Sequence, residues 1–190
     1  MQARCRLFTL LFSSVMILVF STVAIGADPK AEPVLVNAKN FQWAAAPPAL
    51  PKGAKVAVLY GDPSSNGPYV LLLSMPSKYK LPFHWHSQAQ YMTVISGTLY
   101  VASTETYDKK IAHAVKAGGF VYVPPQGQQF AFTKGKTVVE VQGVGPYDIK
   151  YTNPKDDPLN GTHGEAYYFP KEYEKNELNA PAGGEPIPTF

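Results

Sequence analysis

The 190-residue chain contains the run Phe83-His84-Trp85-His86-Ser87-Gln88-Ala89-Gln90-Tyr91-Met92-Thr93-Val94-Ile95-Ser96-Gly97. Its second half is a short stretch of aromatic and β-branched residues closed by Ser96-Gly97. That composition suits a pleated, half-buried strand followed by a turn. Its first half places two histidines two residues apart, which on a strand share one face. Gln90 lies four residues beyond His86 and keeps that parity if the strand runs through. His84, His86 and Gln90 would then be two imidazoles and an amide oxygen facing one point. Such a set suits a divalent metal (Mn, Fe, Ni or Zn) with open positions for water or substrate. A lone His-x-His is also a common structural feature.

The strand signal recurs on both sides of this run. Short apolar or alternating segments fall at 56–60, 69–75, 98–102, 120–123, 129–133, 138–142 and 149–152. Gly, Pro, Asn and Asp separate them, as in Gly61-Asp62-Pro63, Asn66-Gly67-Pro68, Gly118-Gly119 and Pro124-Pro125-Gln126-Gly127. No amphipathic helix intervenes, so the middle of the chain reads as a small all-β sandwich or barrel. There is no internal repeat.

The flanks differ. Arg4 and Arg6 precede an apolar stretch running to Gly26, with small residues at Ala24, Gly26 and Ala27. This is the pattern of a secretory signal peptide, placed at 1–26, with an uncleaved membrane anchor as the alternative for an apolar run of about 20 residues. It predicts a secreted or periplasmic protein with no stable membrane insertion after cleavage. The only cysteine, Cys5, falls inside that segment. The remainder therefore offers no disulfide, thiolate nucleophile or Cys metal ligand. Residues 27–54 read as a Pro-rich arm with one short strand at Val34-Leu35-Val36. Residues 55–152 carry the β pattern. Residues 153–190 form a tail rich in Pro and Tyr, with one helical turn expected within 165–175 and a glycosylation sequon at Asn160-Gly161-Thr162. Without 1–26, 15 Lys face 14 acids, a net of about +1. No concentrated basic patch exists, which argues against nucleic-acid binding.

The histidine run resembles the first motif of the cupin superfamily, G-x5-H-x-H-x3/4-E-x6-G. Here His84-Trp85-His86 is followed after three residues by Gln90 and after six more by Gly97. The second motif, G-x5-P-x-G-x2-H-x3-N, is similar to Gly119, Pro125, Gly127, Phe130 and Lys134 at the same spacing. The resemblance covers about half the chain. It implies a single cupin (jelly-roll-like) β-barrel with extended N- and C-terminal segments. A narrower resemblance, to small secreted bacterial cupins of unassigned function, rests on Val58-Leu59-Tyr60-Gly61-Asp62-Pro63, the His-Trp-His and Gly145-Pro146-Tyr147-Asp148-Ile149-Lys150-Tyr151-Thr152-Asn153-Pro154.

The departures bear on function. Lys78 stands at the leading Gly of the first motif and Gln90 at its Glu. Phe130 stands at the His of the second motif, where a ring without a lone pair replaces a ligand. Glu140 and Gln142 on a late strand, His163 in the tail and His113 near a turn are candidate replacement ligands, although Val139 and Val141 mark the opposite parity from Glu140 and Gln142 as the inward one. Three functions stay open. One is a metal-dependent enzyme on a small molecule, with acid–base help from Glu140, Tyr91 or the tail. The second is a metal-free binding or sensing pocket lined by Tyr91, Phe130, Met92, Phe132 and Trp85. The third is an assembly role in which the termini clasp a homodimer.

Overall fold

A computed structural model describes residues 33–103 and 108–159. The expected signal segment, Cys5, His163, the sequon and the expected helical turn in the tail lie outside the described residues. Eleven strands hold a little under half of the described residues: β1 Ala44–Ala45, β2 Lys55–Tyr60, β3 Pro68–Met75, β4 Lys80–Trp85, β5 Gln90–Ser96 and β6 Thr98–Ala102. The remaining five are β7 His113–Lys116, β8 Phe120–Val123, β9 Gln129–Thr133, β10 Thr137–Val144 and β11 Lys150–Tyr151. Among the described residues no helix is long and apolar enough to cross a membrane.

The strands form two antiparallel sheets. One has the order β1-β2-β3-β10-β5-β8, the other β11-β4-β9-β6-β7. Strands distant in sequence are neighbours in both, as in a jelly roll. The hydrogen-bonded ladders do not close the two sheets into one barrel. The expected all-β, jelly-roll-like class therefore takes the form of a sandwich. Its core fills from both inner faces: Val56, Leu71, Leu73, Met75, Met92, Val94, Val139 and Val141 from the first sheet, Leu81, Leu99, Ala131 and Tyr151 from the second. Alternation along β10 puts Val139 and Val141 inside and leaves Glu140 and Gln142 outside.

β9 departs from simple alternation, because all five of its residues are buried. Its outward face is covered by a second cluster in which Phe130 and Phe132 pack with Ala102, Phe83 and Tyr100. Phe83 meets Phe130 edge-on at 5.1 Å, and Tyr100 stacks on Phe132 at 4.9 Å. Lys134 lies over the Tyr100 ring at 4.5 Å, giving this outer layer a charged rim.

The N-terminal arm carries a correction. Val34 and Leu35 are exposed and outside every ladder, so no strand forms at 34–36. The pairing strand of that segment is β1, two alanines against β2. Beyond it, Ala49 and Leu50 are buried in the main core. The Tyr151 hydroxyl donates to Ala49 O at 2.7 Å and the Tyr79 hydroxyl to Pro51 O at 2.8 Å, pinning the arm to the second sheet's side of the core.

Candidate functional site

A pocket opens between the sheets, with about 420 Å³ of empty space when its mouth is included. Its walls are apolar, from Leu73, Met75, Leu81, Met92, Leu99 and Val141 among others. Its polar groups are His84, His86, Gln90, Gln129 and Tyr147.

His84 reaches the pocket through an irregularity. Leu81 also faces inward, and an odd separation of three would normally put His84 on the other side. The ladder between β4 and β9 shifts register between Leu81 and His84. Pro82 sits within that shift, where its missing N–H leaves no ladder bond to break. Phe83 is thereby turned outward into the aromatic cluster and His84 inward. The Pro82 carbonyl is used again: His84 Nδ1 donates to it at 2.7 Å. His86 lies just past the end of β4, and its Nδ1 donates to Asp148 O at 2.5 Å.

Those two bonds define the chemistry of the rings. A neutral imidazole that donates from Nδ1 keeps its lone pair on Nε2. Both rings are almost wholly buried, which disfavours the charged form. Burial, with the neighbouring His86 adding to it, pushes the His84 pKa down to about 3. Burial likewise lowers that of His86, against opposing contributions from the Asp148 carbonyl and carboxylate. The rings meet edge to face with centroids 5.0 Å apart.

Gln90 joins the pair by a route other than strand parity. The chain leaves β4 after Trp85, turns through residues 86–89, and Gln90 opens β5 in the opposite sheet. It is buried there, with its amide against the Tyr69 hydroxyl. His84, His86 and Gln90 are thus brought together on one pocket.

The other expected pocket residues are elsewhere. Tyr91 points outward and packs its ring on Tyr122 at 5.3 Å. Glu140 lies on the outer face of β10 and accepts from Gln142 Nε2 at 2.6 Å. Phe130 is fully buried, but in the outer aromatic cluster with Phe132. Of the expected aromatic lining only Met92, itself not aromatic, faces the pocket. His113 is exposed at the start of β7.

Gln129 is one of three site residues that the sequence does not single out. Its Nε2 lies 3.4 Å from His84 Nε2. The cause is a one-residue ambiguity. Gly118-Gly119 and Pro124-Pro125 are doublets, so the second motif fits in two registers. The structure selects the earlier one: Gly118, Pro124, Gln126, Gln129 and Thr133. Gly118 has φ +83° and Gln126 φ +61°, so the left-handed turn position belongs to Gln126 and not Gly127. Lys78, at the leading Gly of the first motif, has φ +61° as well. Both turns keep the glycine conformation without the glycine. Gln129, not Phe130, therefore stands at the motif's histidine.

Tyr147 and Asp148 are the other two, although their segment carries the narrower family resemblance. Tyr147 N donates to Pro63 O and Gly145 N to Gly67 O, which ties the closing segment to the loop between β2 and β3. A Cβ on Gly145 would lie 2.1 Å from Ser65 O, so only glycine permits that approach. The contact carries Tyr147 to within 5.5 Å of the His86 ring. Asp148 holds the histidine loop twice: its carbonyl takes the His86 proton, and its carboxylate accepts from Ser87 N at 2.7 Å and Ser87 Oγ at 2.5 Å. Burial raises the Asp148 pKa, but the Ser87 bonds and Lys150, 3.2 Å away, outweigh it and hold the carboxyl below its usual range.

The donor set fits a divalent metal poorly. Two neutral imidazoles and two amides bring no negative charge to a buried, largely apolar space. A divalent ion there would keep its full charge with little solvent, which is costly without anionic ligands. Among the described residues no group of three His, Cys, Asp or Glu converges.

A family model described as a domain of unknown function (DUF4437) matches residues 26–150. No functionally curated protein matches the chain in sequence. Three solved structures share its fold. A candidate acetylacetone dioxygenase from Methylibium petroleiphilum PM1 is 15% identical, with a TM-score of 0.54, over 70% of this chain and 89% of that one. The polyketide cyclase RemF from Streptomyces resistomycificus is 14% identical, TM-score 0.54, over 65% and 88%. An RmlC-like cupin from Ralstonia eutropha JMP134 is 17% identical, TM-score 0.50, over 65% and 74%. At these identities the likeness establishes the fold.

Proposed function

Because the chain belongs to the family described as a domain of unknown function, DUF4437, and folds as a cupin, we propose that it is a small-molecule-binding protein whose pocket works without a resident divalent metal. The observation that carries this reading is the uncharged donor set. Gln90 and Gln129 stand beside the two histidines at positions where the cupin motifs have an acid and a third histidine. An amide nitrogen, moreover, already faces the lone pair of His84. What remains is a concave space with apolar walls and a few convergent polar groups, the ordinary makeup of a ligand pocket.

The metal content of the purified chain, grown with Mn, Fe, Ni and Zn, tests this directly by mass spectrometry. The His84→Ala, His86→Ala double variant sets the background. The expected result is no metal above that background. Near one equivalent in the native chain, lost in the variant, would overturn the reading and return the chain to metal chemistry.

Export is part of the proposal. Its support is Arg4 and Arg6 ahead of an apolar run that ends in small residues at Ala24, Gly26 and Ala27. The mass of the protein recovered outside the cytoplasm should correspond to a chain starting after Gly26 or Ala27.

A further inference from the structure

Among the described residues the polar end of the pocket carries no formal charge, and both of its imidazoles present acceptors. His84 and His86 each spend their one N–H on a backbone carbonyl, Pro82 O and Asp148 O. That leaves an Nε2 lone pair on each ring. A ligand group that meets these nitrogens must bring the proton. Gln129 meets one of them now only at 3.4 Å, a long contact that a better-placed donor can replace. Among the described residues no Lys, Arg, Asp or Glu lines the pocket, so an ion entering it would lose water without gaining a countercharge from them. The Asp148 carboxylate, beside the histidine loop, is already held by Ser87 and Lys150. The rest of the wall is aliphatic, and Met75 and Met92 can adjust to the outline of a small ring.

We infer that the site selects a small, uncharged, largely apolar molecule carrying an O–H or N–H group, whose proton is donated to the His84 and His86 Nε2 atoms. The inference rests on the metal-free reading above and goes further, since it names the ligand's charge and the direction of the hydrogen bond. The enclosed part of the pocket is small, which limits the ligand to a compact molecule.

Pyrrole and furan give a direct test. They have nearly the same size and shape, neither is charged, and only pyrrole has an N–H to donate. Each is titrated into the full chain while the histidine ring nitrogens are followed by 15N NMR. Acetate and methylammonium serve as charged comparators of small size. Pyrrole is expected to bind about fivefold or more tightly than furan, the factor that one net hydrogen bond supplies. It should also move the Nε2 resonances of His84 and His86, while the ions bind less tightly than pyrrole. Furan equalling pyrrole, neither ring binding, or either ion binding more tightly would overturn the inference. Metal analysis of the same protein separates the two claims. One equivalent of metal defeats the metal-free reading, whereas equal binding of the two rings in metal-free protein defeats only the inference about the donor.

Discussion

A buried histidine that gives its Nδ1 proton to a carbonyl resists taking a second proton on Nε2, and that resistance couples folding to pH. Unfolded, the two rings have ordinary pKa values near 6.5. Folded, His84 is held at about 3, and His86 is shifted the same way. Below about pH 6.5 the unfolded chain takes up protons that the folded chain refuses. Stability is therefore complete above that value and falls as pH drops toward the folded pKa, by up to about 1.4 kcal/mol per pH unit for His84. Melting temperatures between pH 8 and 5 should be flat at the upper end and decline below 6.5. A flat profile down to pH 5 would contradict neutral burial. The amides make a second residue-scale prediction. Gln90→Glu combined with Gln129→His restores an anion and a third imidazole to the pocket. That double variant should acquire near one equivalent of Mn, Fe, Ni or Zn by mass spectrometry, with Gln90→Glu alone taking up less. Failure of the double variant to bind would show that something other than these two side chains excludes the metal. His84, His86 and Gln90 were legible from spacing, but Gln90 arrives by a turn into the other sheet rather than along one strand. Gln129 was not legible, because a repeated Gly and a repeated Pro leave the motif register undefined until backbone angles are known.

At the scale of elements, the turns hold more of the site than their composition shows. Gln126 N donates to His86 O at 2.8 Å, so the turn between β8 and β9 also steadies the histidine loop. Its φ of +61° is unfavourable for any residue with a Cβ. Gln126→Gly keeps the backbone donor and relieves that conformation. It should stabilise the protein by up to about 1 kcal/mol in urea denaturation, because relief of the left-handed conformation outweighs the larger unfolded-state entropy of glycine. A loss of stability would show that Gln126 is unstrained there. Gly97, between β5 and β6, is the opposite case. A Cβ there would lie 2.5 Å from Lys136 O at φ +80°, so Gly97→Ala should cost about 2 kcal/mol or more by the same measurement. A neutral outcome at Gly97 would mean that the hairpin can shift to make room. Most strands were readable from composition, because β-branched and aromatic runs bounded by Gly and Pro leave few alternatives. β4 was obscured as a ladder member, since Pro82 and the shift after Leu81 interrupt the alternation that reveals a strand. β7, four residues from His113 to Lys116 with only one partly buried, gives almost no hydrophobic signal.

For the whole molecule, the main core does not begin at residue 55, where the dense strand pattern starts. Ala49 and Leu50 are buried in it, and the Tyr79 and Tyr151 hydroxyls hold the preceding backbone in place. A chain beginning at residue 55 should therefore melt well below one beginning at residue 33. Tyr151→Phe in the longer chain should cost about 1 to 3 kcal/mol, because Ala49 O loses its donor in a buried setting. Equal melting of the two lengths would show the arm to be an ornament. The arm's prolines disguised this role: they suppress strand periodicity, yet they do not prevent burial. The shape of the sandwich has a further consequence, for behaviour in a crowded solution. Its four outermost strands among the described residues are β1 and β11, of two residues each, and β7 and β8, of four each. Phe120 and Tyr122 leave aromatic surface on β8, enough to attract a neighbour. So short a rim gives a foreign strand too few backbone groups to extend either sheet, which guards the protein against aggregating edge to edge.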